Sequence, residues 1–272
     1  MILEQGDSME LLKSLKHGSI DLCLTDPPYN IGDKSKMTKS KGIVQPITNL
    51  EAWGGTFKDS WTTFEEYADW LIEISKLIHK SLKENGSVIM FLDRKVTGYF
   101  IYRMEHEIGW KFKSKFYFEK LNPVPHIRKN NYLSSIEEAI WLVKTSNNYT
   151  INFLSQQLMH PVWKLSDAEI QTYLQTFWTG YAGGAYKKIS PHPTEKYSWM
   201  IYPLLRRHTT RGQVVLDPFM GSGAIGVVSR RMGLDFVGFE REPEYFESAS
   251  ERIRQIIPMS DISMKDFEEI DE

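Results

Sequence analysis

Cysteine is almost absent from this sequence: Cys23 is the only one in 272 residues. That excludes an internal disulfide and any cysteine-based metal cluster, so no metal site is expected. Long apolar runs are missing as well. No eighteen consecutive apolar residues occur, and the first residues lack the basic-then-apolar pattern of a secretion signal. The expected location is therefore the cytoplasm, with no membrane partner. No segment repeats another. An excess of positive charge is missing too, the net being −2, which at first sight argues against a nucleic-acid partner. Its distribution changes that impression. Asp261, Asp266, Glu268, Glu269, Asp271 and Glu272 against Lys265 give residues 261–272 a net of −5 and leave +3 for the rest. Lys111, Lys113, Lys115, Lys120, Arg128 and Lys129 against Glu119 concentrate +5 between residues 111 and 129. A solvated charged face is the usual explanation of such a run, so it permits a phosphate-binding surface without requiring one.

What the chain does have is an alternation of short apolar runs with helical periodicity. Ile2 and Leu3 open a strand, and Met9, Leu11, Leu12 and Leu15 follow at helical spacing with Asp7 or Ser8 as the cap. Leu22, Cys23 and Leu24 read as a second, buried strand. Residues 30–60 are polar, show no clear period and carry Lys34, Lys36, Lys39 and Lys41, as a functional or disordered loop would. Thr63 and Glu66 have the spacing of a capping box before a long amphipathic helix, for which Asn85-Gly86 predicts the end. Residues 87–92, 111–118 and 139–143 read as strands, with an irregular connection around 122–126. The βαβ rhythm predicts a mostly parallel α/β sheet. Residues 146–190 break it with a helix capped by Ser166 and Glu169, then a stretch mixing Trp178, Tyr181 and Tyr186 with Gly180, Gly183, Gly184, Lys187 and Lys188. Aromatics, glycines and lysines together suit nucleic acid, although a plain surface subdomain has the same composition.

Two motifs carry the chemistry. Asp26-Pro27-Pro28-Tyr29 follows the Leu22–Leu24 run, so Asp26 sits where a strand ends, the edge at which open α/β sheets bind ligands. The two prolines fix the backbone and aim their carbonyls, while Tyr29 offers a flat ring. A carboxylate, a directed carbonyl and an aromatic face suit a planar group bearing an NH2, as in adenine or cytosine. Further on, residues 213–226 read as strand, turn and helix start, with Gly221, Gly223 and Gly226 satisfying G-x-G-x-x-G. The next strand, 236–239, leads to Glu240, 19 residues after Gly221 and where such folds hold a ribose diol.

At these residues the sequence resembles the amino-group (adenine-N6 or cytosine-N4) DNA methyltransferases that use S-adenosylmethionine. Asp26-Pro27-Pro28-Tyr29 matches their catalytic motif, Asp217-Pro-Phe-Met-Gly-Ser-Gly their cofactor loop, and His192-Pro193-Thr194-Glu195-Lys196 the segment placed just before that loop. The catalytic motif comes first, as in the β group. The family usually has Pro after Thr-Glu-Lys, where this chain has Tyr197. The resemblance implies a Rossmann-like methyltransferase sheet, mostly parallel with one reversed strand and helices on both faces, plus an inserted recognition region. It divides the chain into a catalytic part at 1–145, a target-recognition region at 146–190, a cofactor-binding part at 191–258 and a mobile acidic tail at 259–272. It assigns catalysis to Asp26, Pro27, Pro28 and Tyr29. Cofactor contacts fall to Asp7, Thr25, Asp26, Thr194, Lys196, Asp217, Phe219, Gly221, Ser222, Gly223 and Glu240, with Glu240 on the ribose.

The implied reaction is methylation of adenine N6 in double-stranded DNA, with the target base flipped out of the helix. Cytosine N4 is the alternative, since both bases present an NH2 on a planar ring; Asp at position 26, where many cytosine-N4 members have Ser, favours adenine. Methylation of cytosine C5 needs a cysteine nucleophile that members carry after a proline, whereas Cys23 lies inside a strand. The resemblance allows a homodimer and a separately encoded restriction endonuclease as protein partners. From another class, a catalytically silent nucleic-acid-binding module would tolerate loss of Asp26, which is intact.

Overall fold

Strand residues of this protein alternate between two buried faces, and that alternation dictates the layers. Leu22, Leu24, Ile89, Phe91, Trp141 and Val143 point into one apolar core, while Cys23, Val88, Met90, Ile140 and Leu142 point into the other. A sheet apolar on both sides must be covered on both sides. The computed structural model describes residues 1–29, 61–120, 132, 135–177 and 195–256. Its strands are β1 (Ile2–Gln5), β2 (Ile20–Thr25), β3 (Leu82–Phe91), β4 (Lys111–Glu119), β5 (Ile136–Val143), β6 (Val162–Lys164), β7 (Val214–Asp217) and β8 (Asp235–Glu240). The helices are α1 (Ser8–Ser14), α2 (Phe64–Ser81), α3 (Thr97–Arg103), α4 (Ala168–Phe177), α5 (Ser198–His208), α6 (Ala224–Arg231) and α7 (Pro243–Arg254). Among the described residues no helix is long and apolar enough to cross a membrane.

The strands form one sheet in the order β1-β8-β7-β2-β3-β5-β4-β6. All neighbours run parallel except that β5 opposes both β3 and β4. Residues of α1, α2 and α3 fill one core, and those of α4, α5, α6 and α7 the other. This is the expected Rossmann-like arrangement with a single reversed strand. Because β1, β8, β7 and β2 are adjacent and parallel, their carboxyl ends line one edge.

Three local readings need adjustment. The capping box at Thr63 and Glu66 forms, but α2 stops at Ser81, and Asn85-Gly86 lies inside β3. Pairing of Ile20 with Leu82 catches the chain as it leaves the helix, and the register shifts between Ile20 and Leu22. A Cβ at Gly86 would come within 2.9 Å of the Lys83 carbonyl, so the glycine serves this irregular pairing rather than a helix end. Glu169 does not act in a cap. Its carboxylate is buried against Arg206, at 3.0 Å, and Arg207, at 2.8 Å, which ties α4 to α5. Finally, residues 162–177 join the core rather than standing apart: β6 extends the sheet beside β4, and Trp163, Ile170 and Tyr173 are buried.

The basic loop at 33–41, residues 122–126, Arg128, Lys129, residues 178–190, His192, Pro193, Thr194 and the acidic tail lie outside the described residues. Of the described basic cluster, Lys115 pairs with Glu138 at 2.8 Å, Lys120 with Glu137, and Lys113 lies over the ring of Tyr149. Much of that positive charge therefore faces the protein's own groups.

Candidate active site at the carboxyl edge of the sheet

The glycine turn is built by the ends of two neighbouring strands. Asp217 ends β7, and its Oδ1 accepts hydrogen bonds from Thr25 Oγ1, at 2.8 Å, and Phe219 N, at 3.1 Å. Thr25 is the last residue of β2, so this bond couples the residue before Asp26 to the residue that opens the glycine loop. Gly221 and Gly223 have φ of +50° and +76°, the left-handed region that glycine enters at little cost. At Gly226 a Cβ would stand 2.5 Å from Ile253 and 2.7 Å from Phe236, so only glycine lets α6 approach α7 and β8 this closely. The loop is then fastened from its neighbours. Met220 N donates to Phe239 O, Ser8 Oγ to Pro218 O, and Gly221 N to Glu240 Oε2 at 2.9 Å. Glu240 Oε1 accepts from Glu242 N, which fixes the carboxylate at the end of β8. Asp7 follows β1 at the same edge and caps α1 by accepting from Met9 N.

Asp26 sits at the head of the coil after β2, with its side chain 18% exposed. Tyr29 donates its hydroxyl to Oδ1, and the Lys196 ammonium lies 3.0 Å from Oδ2. That ammonium is also 3.5 Å from Glu137 Oε2 and within 5.4 Å of the Tyr29 and 5.2 Å of the Phe91 ring centres. No sequence motif contains Glu137. It enters because β5 runs backwards, so that its amino-terminal residues, not its carboxyl-terminal ones, reach the edge where Asp26 stands. The preceding residue of the 192–196 segment has its own anchor: Glu195 pairs with Arg252 of α7, whose guanidinium also donates to Ser222 O at 3.1 Å. Glu195 and Lys196 thus join the glycine loop to Asp26 through consecutive positions. Tyr197 caps α5 at φ −78°, a value proline also adopts, so its presence in place of Pro leaves the turn intact.

Burial sets the electrostatics. It pushes the Asp217 carboxyl up to about 7 against the pull of its hydrogen bonds from Thr25 and Phe219. Burial likewise raises Glu240 and Asp26, in the latter case outweighing Lys196 and Tyr29. Burial opposes the charge on Lys196 too, but Asp26 and Glu137 outweigh it and hold the ammonium above its ordinary value. Carboxylates at the carboxyl ends of β2, β7 and β8 that resist ionisation in isolation would be relieved by a cation placed among them. Beside them stand flat rings: Trp70 of α2 lies 5.5 Å from Phe219, and Trp61 lies 4.8 Å from Trp70. A ligand with cationic groups and a planar base fits this set of donors, acceptors and surfaces. Cys23 is fully buried with its thiol held well above the usual range by burial, so it is not a nucleophile.

Comparison with known proteins agrees with this layout. The N6/N4 methyltransferase family model, described as DNA methylase, matches residues 20–251. The type II methyltransferase M2.DpnII of Streptococcus pneumoniae is 28% identical over 255 residues, covering 93% of this chain and 89% of the relative. M.HinfI of Haemophilus influenzae, also a type II methyltransferase, is 28% identical over 273 residues, covering 93% and 68%. Among solved structures, an M1.HpyAVI–SAM complex superposes with a TM-score of 0.64 at 24% identity, over 93% of this chain and 99% of that one. The cytosine-N4-specific PvuII DNA methyltransferase does so with 0.65 at 23% identity, over 98% and 89%.

Proposed function

Since the chain belongs to the N6/N4 family of DNA methylases, we propose that it transfers a methyl group from S-adenosylmethionine to the exocyclic N6 of adenine in double-stranded DNA, as a modification enzyme of restriction-modification type. One observation carries the reading. The Thr25–Asp217 bond sets the largely buried Asp26, flanked by Tyr29, directly beside the loop proposed to hold the cofactor. Asp at position 26 favours adenine over cytosine N4.

Asp217, Phe219 and Glu240 would hold the cofactor, with Glu240 on its ribose, Phe219 near its base, and Asp7, Thr25, Ser222 and the loop glycines completing the cradle. When bound, it supplies an electrophilic methyl group on a sulfonium centre. An exocyclic amine is a poor nucleophile because its lone pair is delocalised into the ring. Hydrogen bonds from its two hydrogens to Asp26 and to the Pro27 carbonyl favour a tetrahedral nitrogen and aim the lone pair. The prolines keep that carbonyl in a fixed direction, and Tyr29 stacks on the flipped base. Asp26, whose carboxyl already lies above its ordinary pKa through burial, takes the proton that the nitrogen sheds. Target selection is proposed for residues 146–190 together with the basic loop at 33–41; since 162–177 are built into the core, the variable share of that task falls to positions after Phe177.

The test is Asp26→Ala with labelled cofactor and DNA. Turnover should fall by about 100- to 1000-fold, the usual cost of removing one preorganised partner, while cofactor and DNA binding persist. Digestion of the product DNA to nucleosides separates N6-methyladenine from N4-methylcytosine. A folded Asp26→Ala protein with near wild-type turnover refutes the mechanism.

A further inference from the structure

In the resting site both oxygens of Asp26 are engaged, one by the Tyr29 hydroxyl and one by the Lys196 ammonium. That arrangement cannot persist through the proposed reaction. The target amine must donate to Asp26, and its nitrogen becomes positive as the methyl arrives; an ammonium fixed on the same carboxylate would repel that charge. Lys196 needs somewhere else to go. Among the described residues the second carboxylate against it is that of Glu137, whose Oε2 stands at 3.5 Å, barely farther than Asp26 at 3.0 Å; the Tyr29 hydroxyl oxygen, at 3.4 Å, accepts from it too but carries no charge. Glu137 is itself held by Lys120, just past the end of β4, which supports its charge beside Lys196. Burial would raise the Glu137 carboxyl, but Lys196 and Lys120 together keep it below its ordinary value. The faces of the Tyr29 and Phe91 rings, with centres 5.4 Å and 5.2 Å away, attract the ammonium and favour its staying near both carboxylates.

The geometry points to Glu137 as a positioning residue that receives Lys196 when the target amine engages Asp26. This rests on the assignment of Asp26 made above and deepens it. With Lys196 on Asp26, the empty site is neutralised. When the amine binds, Lys196 shifts to Glu137 and Asp26 turns to the two tasks of accepting a hydrogen bond and then a proton. The bookkeeping closes: the nitrogen lone pair forms the N–C bond, the S–C bonding pair stays on sulfur, and the nitrogen's proton passes to Asp26, from which water removes it. The displaced ammonium neither gains nor loses a proton.

The discriminating variant is Glu137→Gln, which offers Lys196 no charge to move to. Its kcat should fall about 10- to 100-fold, the scale on which a misplaced catalytic group is felt, with cofactor affinity within about twofold of wild type. A second readout needs no turnover. Duplexes carrying the target base, located by sequencing methylated DNA, are compared with duplexes whose target base lacks the exocyclic amine. Wild type should prefer the amine by about tenfold, as expected for a hydrogen bond to a charged group, and Glu137→Gln should lose that preference. In a Lys196→Met background the Glu137→Gln change should alter kcat by less than about twofold, since Glu137 acts through Lys196. Glu137→Asp, which keeps the charge on a shorter arm, should be intermediate, and it serves as the test should the Gln variant fail to fold. Unchanged kcat and unchanged amine preference in a folded Glu137 variant, or an undiminished loss in the Lys196→Met background, overturns the inference. An inactive Asp26→Ala beside a normal Glu137→Gln sinks only this inference, whereas an active Asp26→Ala sinks the assignment beneath it.

Discussion

Glu169→Gln should destabilise the protein strongly although the residue lies in a stretch that reads, from sequence, as a surface insertion. The Glu169 carboxylate is 5% exposed and serves two guanidiniums that are 4% and 3% exposed, those of Arg206 and Arg207. Arg207 also donates to the carbonyls of Leu158 and Pro203, so the cluster joins the segment before β6, helix α4 and the end of α5. Replacing the carboxylate by an amide leaves two buried positive charges facing neutral acceptors. Breaking a buried pair from one side costs about 3–5 kcal/mol, and the amide's remaining acceptor places the expected loss near about 3 kcal/mol. For a chain of this size about 1 kcal/mol moves Tm by about 2–4 °C, so the fall should be about 6–12 °C. Its pH dependence has a definite sign. The guanidiniums hold the Glu169 carboxyl below its ordinary value despite burial, so its stabilisation is present above the unfolded pKa and is lost as pH falls through the folded one. The gap between wild type and variant in a calorimetric scan should therefore be full at pH 7 and shrink in the acid range below about pH 4. A Tm within 2 °C of wild type at neutral pH, as an order-of-magnitude bound, would show that the two arginines need no carboxylate and that α4 is separable from the core.

The other expectations follow from the same edge of the sheet. Asp217 has a folded pKa of about 7, above its unfolded value, so the stability linked to its protonated form is present at acid pH and lost as pH rises through about 7. Asp217→Asn, whose amide oxygen can keep both hydrogen bonds that Oδ1 accepts, should gain on wild type by up to about 4 kcal/mol between acid and alkaline pH in urea titrations; a pH-independent difference would contradict the burial argument. Glu240→Ala should weaken cofactor binding by about 1–3 kcal/mol in titration calorimetry, and unchanged affinity would remove Glu240 from the ribose site. Exchange of residues 178–190 for those of a relative should change the methylated sequence while leaving Tm within a few degrees, whereas exchange of all of 146–190 should also lower Tm markedly by removing Glu169 and the buried residues around it.

Much of this was legible in the chain because local chemistry and global fold agree there. Apolar strand runs ending at Asp26, Asp217 and Glu240 mark the carboxyl edge, and Thr63 with Glu66 marks the start of α2, which the structure repeats. The glycines could be read from their own spacing: left-handed φ makes the reason local at 221 and 223, whereas at 226 it is close packing against Phe236 and Ile253. What escaped is whatever depends on pairing between distant segments. Asn85-Gly86 has the form of a helix end, yet pairing with β2 draws it into a strand. Glu169 has the form of a cap, yet two arginines 37 and 38 positions away claim it. Glu137 and Arg252 have no motif at all, and only the direction of β5 and the docking of α7 bring them to the site.

The reversed strand β5 also bears on how this architecture tolerates change. In a wholly parallel sheet, every side chain at the functional edge is supplied by the residue that follows a strand, so its position depends on the loop that begins there. Glu137 instead lies near the start of its strand, and the ladder opposite Phe118 fixes it whatever precedes it. Insertions or deletions in the connection at 121–134 would leave Glu137 in register with β4, as loop-closure entropy grows only slowly with length. On the proposed function, sequence can thus be added between β4 and β5 without recalibrating the position of Glu137.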